Sequence, residues 1–288
     1  MIQAFNHHLT RVFDIILYPF GLIGSWAQIL IVSVVSSFII LFFFKKLSSA
    51  EKKKKAKDRI RANIFAIRIY KDFWRVILQS FFKSIYYTGK YFILNFAPVL
   101  VFLPILFLLS VQLDVRFGMR PFQPGEQFIL TAQLNRPPQE IEIQQLTSKQ
   151  AAPLIPPVYI DSIDDRGREV REVNWKMEAR EEGPGELVFQ IEGDRLTKSI
   201  VVGPDEGRPL SNRRFSSAGL SGFPRLLISF IHPVEPLMAS GNAVEEISLR
   251  YPPDTVRFLF LNTHWLVYYI LFIFIVVLSL KNRFGVEF

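Results

Sequence analysis

Asp161, Asp164 and Asp165 come first, because three acids within five positions could hold a divalent cation. Calcium loops place their acids at alternating positions and close on a bidentate Glu. This segment follows no such register, and Asp164-Asp165-Arg166-Gly167 reads as a solvated turn. Ser36-Ser37 and Ser216-Ser217 have no His or Lys arranged as a base, and no Gly-x-Ser-x-Gly elbow occurs. A phosphate-cradling Gly loop with Lys is also missing. His7 and His8 lack ligand partners at metal-site spacing, and His232 and His264 stand alone as packed or interfacial side chains. With no cysteine in the chain, disulfides and thiolate metal sites are excluded. No enzymatic activity, cofactor or metal is expected.

The polar residues that carry more weight lie inside long apolar runs: Gln28, Ser33, Ser36 and Ser37 in one, Asn95, Ser110 and Gln112 in another. Uncharged polar groups in membrane helices usually bond to a neighbouring helix, each bond contributing about 0.6 kcal/mol. The alternative is a wet groove that receives the polar parts of a client chain.

Three runs are long enough, at about 20 residues, to cross a bilayer. The first span covers 25–44 and is ended by Lys45 and Lys46. The second covers 91–113 and contains Pro98 and Pro104, which membrane helices tolerate where neighbours re-satisfy the freed carbonyls. The third covers 258–280, with Trp265, Tyr268 and Tyr269 as an interfacial aromatic group and Lys281 and Arg283 at its end. The first run is too long for a signal-peptide core and lacks a basic n-region, so it is expected to be retained.

Between the first two runs, residues 45–90 hold fourteen Lys and Arg against three acids, while the whole chain carries +8. Short basic loops stay on the cytoplasmic side. The expected topology therefore puts the N-terminus and 114–257 outside, and 45–90 and the C-terminus inside, in what is expected to be a prokaryotic cytoplasmic membrane. The basic isoelectric point follows from this topology, and no nucleic-acid reading motif accompanies it.

The basic segment has helical composition, with Ser48 or Ser49 placed to cap it. Lys52, Lys53, Lys54, Lys55, Lys57, Arg59 and Arg61 form its solvated part. Beyond it, Ile60, Ile64, Ile67, Trp74, Leu78, Phe81 and Ile85 mark an apolar face, broadened by Phe65, Ile69, Phe73, Ile77 and Tyr86. Arg68, Lys71, Arg75 and Lys83 stud that face. Such a segment either folds back as a hairpin, with a bend at Tyr70-Lys71-Asp72, or lies on the inner leaflet. There anionic headgroups would contribute about 1 kcal/mol per basic residue. The bland alternative is that these charges only fix topology.

Residues 1–24 contain an apolar stripe (Phe5, Leu9, Val12, Phe13, Ile16, Leu17, Phe20) at helical spacing. This suits a helix lying in the outer interface, or packed on the protein's own outer domain. Residues 114–204 alternate β-forming and polar residues between turn signals. Strands are expected at Gln127–Leu134, Glu140–Leu146, Val158–Asp161, Glu169–Ala179, Glu186–Glu192 and Thr197–Val202, in a small antiparallel β-sandwich. Residues 205–257 read as linker with a short amphipathic segment at Pro224–Ile231 and a strand at Glu245–Tyr251. The short tail is 281–288. The fold class is thus an α-helical integral membrane protein with a basic cytoplasmic hairpin and an extracytoplasmic antiparallel β-sandwich.

The order of parts (outer amphipathic helix, span, Lys-rich hairpin, span, outer insertion, span) resembles the minimal three-span core of the YidC-type membrane-protein insertase superfamily. Leu9–Gly24 followed by Trp26–Lys46 matches that family's interfacial helix leading into a span. The likeness covers about 3–113 and 258–283. It implies an insertase moving short hydrophilic client segments across the membrane, received by the basic hairpin and guided by the polar residues of the first two spans. Its partners would be nascent membrane proteins and a bilayer with anionic headgroups. Many bacterial members place an Arg in the groove, whereas Gln28–Phe44 holds none, and the inserted sandwich is foreign to the usual pattern. The alternative is a non-catalytic accessory or scaffold subunit that binds a partner in a larger membrane complex through its outer domain.

Overall fold

Helix and strand signals separate along the chain, and the two kinds of structure separate with them. The computed structural model describes residues 2–138, 141, 147–163, 165, 167, 169–204 and 207–285. They divide into two compact units, one of Met1–Ile29 with Ser110–Trp265 and one of Leu30–Leu109 with Leu266–Phe288.

Four helices come first: α1 (Ile2–Gly21), α2 (Ser25–Leu47), α3 (Ala50–Ile69) and α4 (Trp74–Phe117). The α1–α2 turn needs close approach, because a Cβ on Gly21 would sit 3.1 Å from Gln28 Nε2. Ser49 caps α3 by accepting a hydrogen bond from Lys52 N–H at 3.3 Å. The break between α3 and α4 falls at Tyr70–Phe73, where the Phe73 N–H turns back to the Tyr70 carbonyl at 3.0 Å. From Trp74 onward α4 is one unbroken helix of 44 residues, with Pro98 and Pro104 inside. The amphipathic stretch to Tyr86 and the apolar run 91–113 are therefore parts of one helix.

Among the described residues, three helices are long and apolar enough to cross a membrane: α2, α4 and α6 (Trp265–Phe284). Within the second unit, α2, α4 and α6 share a small core of Ile40, Leu41, Phe44, Phe102 and Val277, with the Phe44 and Phe102 rings 5.7 Å apart. The sequence suggested that the third run opens at Phe258. Instead β9 (Val256–Phe258) and β10 (Leu261–Thr263) pair as a hairpin, and the helix waits until Trp265. Leu259, at the tip of that hairpin, has φ +53°, a backbone region that costs a branched L-residue about 1–2 kcal/mol.

The strands of the first unit are antiparallel. β2 (Ala151–Pro153), β4 (Glu169–Ala179), β1 (Gln127–Leu134), β8 (Val244–Leu249) and β7 (Arg213–Phe215) lie in that order, and β3 (Val158–Ile163) also pairs with β4. β5 (Gly183–Ile191) and β6 (Asp194–Val202) form a separate hairpin. Its turn uses Glu192 and Gly193, both at positive φ, as tight hairpin turns require. The expected strand at Glu140–Leu146 falls largely outside the described residues. The segment at 224–231 lies within helix α5 (Gly222–Ile231).

Alternation explains one shared core. Leu130, Ala132, Val173, Trp175, Met177, Ile247 and Leu249 point inward from the larger sheet, and Leu187, Phe189, Ile191 and Ile200 from the hairpin. Each large side chain contributes about 1.5–3 kcal/mol by leaving water. Phe122 stacks on Phe128 and Tyr251, with centroids 4.3 and 4.7 Å away.

One inward position of β6 is Lys198, whose side chain is 0% exposed. Its ammonium donates to the Ser211 carbonyl at 2.6 Å and to Glu235 Oε2, while Glu235 Oε1 accepts from Ser199 N–H at 2.7 Å. Burial pushes the Lys198 pKa down, against the pull of Glu235. Removing one partner of a buried pair leaves an uncompensated charge, whereas replacing both with apolar residues is often tolerated. Glu235→Ala is expected to destabilise the protein by about 3–5 kcal/mol. The Lys198→Met, Glu235→Leu double variant should recover most of that loss in thermal unfolding. Equal losses in both variants would mean that packing, and not charge, decides.

His232 caps the C-terminal end of α5 beside the Phe215 ring, centroids 4.9 Å apart. Burial lowers its pKa, Arg213 and Lys198 lower it further, and Glu235 opposes them. The folded state therefore favours neutral imidazole. That stability is present above the ordinary His pKa of about 6.5 and is lost as pH falls through it toward the folded value. Glu246, raised by burial, has the opposite sign at lower pH. The wild-type melting temperature should drop more than that of His232→Gln between about pH 7.5 and 5.5. Identical drops would remove His232 from the pH response.

Candidate functional site

The seven polar residues picked out in the apolar runs fall into three groups. Ser33, Ser36 and Ser37 share one face of α2, as the i, i+3, i+4 spacing dictates, and all three are fully buried. Ser36 Oγ and the Tyr269 hydroxyl of α6 are 2.8 Å apart. Ser33 Oγ donates to the Tyr269 carbonyl at 3.4 Å, and Ser37 Oγ to the Ser33 carbonyl at 2.7 Å. Asn95, half-buried on α4, donates back to the Tyr91 carbonyl at 2.8 Å. Gln28, Ser110 and Gln112 belong to the first unit. Gln28 donates to the Leu17 carbonyl of α1 at 3.0 Å, and Ser110 is half-buried.

Gln112 belongs to a joint that the sequence did not single out. Its Oε1 accepts from Arg116 Nη1 at 2.8 Å, one helical turn on. Arg116, with its side chain 1% exposed, reaches across to α1, donating to Asp14 Oδ1 at 2.6 Å and to the Thr10 carbonyl at 3.1 Å. Its guanidinium also lies over the Phe13 ring, 5.5 Å from the centroid. The flanking residues tie α4 to the strands. Leu210 N–H donates to the Val115 carbonyl at 2.7 Å, and Trp265 Nε1 to Asp114 Oδ1 at 3.2 Å. Gly118 is required here, because a Cβ would sit 2.7 Å from the Asp114 carbonyl oxygen. Asp14, the only acid in α1, and Arg116 just past an apolar run were the available sequence signals.

A cleft of about 270 Å³ opens beside α1 and α5, lined by Asn6, His7, Ser229, His232 and Glu235 among others. Its strongest polar groups are already engaged: Asn6 Nδ2 donates to the Ser229 carbonyl at 2.6 Å, and Glu235 holds Lys198. Among the described residues no group of three or more His, Cys, Asp or Glu could hold a metal ion. Asp161 lies 3.9 Å from Arg171 Nε, Asp165 is exposed, and Asp164 is outside the described residues.

The basic residues are mostly in the open. Lys52, Lys54, Lys55, Lys57, Arg59, Arg61 and Arg68 are exposed on α3, Lys71 in the break, and Arg75 and Lys83 on α4. Lys55 pairs with Glu51 at 2.6 Å, a solvated i, i+4 contact of small energetic weight. Lys53 differs: it is buried, with its ammonium 5.9 Å from the Phe44 ring. Exposed beside these cations are Phe65, Ile69, Phe73, Trp74, Phe81 and Ile85. Large apolar side chains and cations exposed along the same helices suit a partner that is both apolar and anionic. Comparison of the chain with family models, curated proteins and solved structures finds no match.

Asp14→Ala should leave the buried Arg116 guanidinium short of a partner, at a cost of about 1–3 kcal/mol. Hydrogen exchange across α1 is then expected to accelerate about 5- to 150-fold, since about 1.4 kcal/mol is one decade. Unchanged α1 protection would mean that Phe13 and Leu17 packing alone holds the helix.

Proposed function

We propose that this chain is an integral membrane protein of the YidC-like insertase or assembly-factor class, moving short hydrophilic segments of client proteins across a membrane. In this reading α2, residues 91–113 of α4, and α6 are the spans, and α1 lies in the outer interface. The β-rich unit is an extracytoplasmic antiparallel sandwich, and α3 with the start of α4 faces the cytoplasm of a prokaryotic cell. The carrying observation is the α3–α4 surface, where Phe65, Ile69, Trp74, Phe81 and Ile85 are exposed among Arg68, Lys71, Arg75 and Lys83. Anionic headgroups and the apolar stretch of an incoming client meet complementary chemistry on such a face. Topology alone needs the charges but not the aromatic residues.

The serine face of α2 favours a second reading, a non-catalytic accessory or scaffold subunit. Ser33, Ser36 and Ser37 are buried and bonded, which suits a static helix contact better than a wetted groove. Under that reading the outer domain holds a partner subunit.

The two readings separate in cells. Depleting an insertase, together with any paralogue, should impair insertion of membrane clients with short translocated tails. Photocrosslinkers at Phe65 and Phe81 should capture nascent chains. Normal insertion with a stoichiometric partner copurifying in detergent would instead select the subunit reading.

A further inference from the structure

We propose that the β9–β10 hairpin tip, Leu259 to Leu261, with the neighbouring turn residues Leu22 and Ile23, forms an apolar wedge seated in the headgroup–acyl boundary of the membrane. The proposal rests on the membrane-spanning reading of α2 and α6 and extends it to residues outside both helices. Its basis is a local conflict. Two-residue hairpin tips favour Asn and Gly, which tolerate positive φ and face water. Here the tip is Leu259, at φ +53°, and Phe260, which is 99% exposed. Leu261 and Ile23 are exposed as well, and Leu22 is 90% exposed.

The two segments belong to one patch. Phe258, the residue before the tip, packs on Trp26 with ring centroids 5.1 Å apart, and Trp26 is in the first turn of α2. That contact sets the tip at the level where α2 begins, and Leu22 and Ile23 lie only a few residues before Trp26. The tip is also four residues or so from the first turn of α6 by chain. Where two spans begin, a bilayer presents its interface, in which apolar groups of peripheral elements bury about 5–10 Å deep. The only charge in 257–263 is Arg257, exposed two residues before the tip, a suitable partner for a lipid phosphate. A lipid surface thus accounts for the apolar tip and the flanking cation together.

The absence of cysteine allows a clean test. Phe260→Cys, Ile275→Cys in α6 and Lys176→Cys on β4 each carry an environment-sensitive fluorophore in the full chain, reconstituted in phosphatidylcholine vesicles containing phosphatidylglycerol. The expected result is blue-shifted emission at position 260, quenched several-fold more by shallow nitroxide lipids than at 176. Position 275 should be quenched by deep nitroxide lipids. If 275 is deep while 260 matches 176, the wedge is wrong and the spans stand. If 275 is unquenched, the membrane reading falls and the wedge with it. A blue shift at 260 that needs an added protein, and not lipid alone, would overturn the wedge in favour of a protein contact.

Discussion

The buried guanidinium of Arg116 is the interaction on which the first unit depends. A charge with 1% side-chain exposure must have its donors satisfied, and the partners come from two helices: Gln112 on α4, and Asp14 and the Thr10 carbonyl on α1. The neighbouring residues are committed as well. Asp114 accepts from Trp265, the Val115 carbonyl from Leu210, and the Gly118 carbonyl from Asp254 N–H at 3.2 Å. Within five residues the end of α4 meets α1, the strand connections and the start of α6. The last carbonyls of a helix always need partners, and here they are used to anchor the strands. Arg120 extends the pattern: Glu126 holds it through two hydrogen bonds at 2.9 and 3.0 Å, which raise its pKa and lower that of Glu126.

Much of the β-rich unit was legible because strand alternation is a local property. Phe128, Leu130, Ala132 and Leu134 mark β1 as a half-buried strand without knowledge of its neighbours. The same rule points Lys198 inward, between Leu196 and Ile200 on the buried face of β6. Its partner Glu235 was not legible, since it arrives from a distant loop with no periodicity of its own. The hairpin at 256–263 was hidden for the opposite reason. A short apolar run cannot be told from the start of a buried helix by pattern alone, and here it runs directly into one. The division expected between residues 90 and 91 is not a break, because both segments lie within α4. Gly89 lies inside that helix, where an isolated Gly costs about 1 kcal/mol, too little to end a helix of 44 residues.

The two hairpin turns show how the same backbone geometry can carry different information. Glu192 and Leu259 share φ +53°. Glu192 precedes Gly193 in a polar turn, so its strain has an ordinary explanation in strand closure. Leu259 precedes Phe260, and nothing in strand closure calls for two large apolar side chains in the open. Strain alone marks a turn, whereas strain joined to exposed apolar surface motivates a search for what covers its side chains.

The distribution of satisfied and unsatisfied surface in the second unit bears on where any client would be recognised. Ser33, Ser36 and Ser37 spend their hydrogen bonds on α6 and on α2 itself. A client entering between those helices would have to break bonds of about 0.6 kcal/mol each and replace them with its own. The serine face therefore offers little net attraction, and parting the helices would also disturb the core around Leu41 and Val277. The α3–α4 face is the reverse. Its Phe, Trp and Ile side chains are exposed, so covering them contributes about 25 cal/mol per Å² of apolar surface without first breaking a contact. Its cations add attraction for anionic groups that falls off within a Debye length. Under the insertase reading, the affinity for a client would therefore reside on α3–α4 rather than on the buried serines.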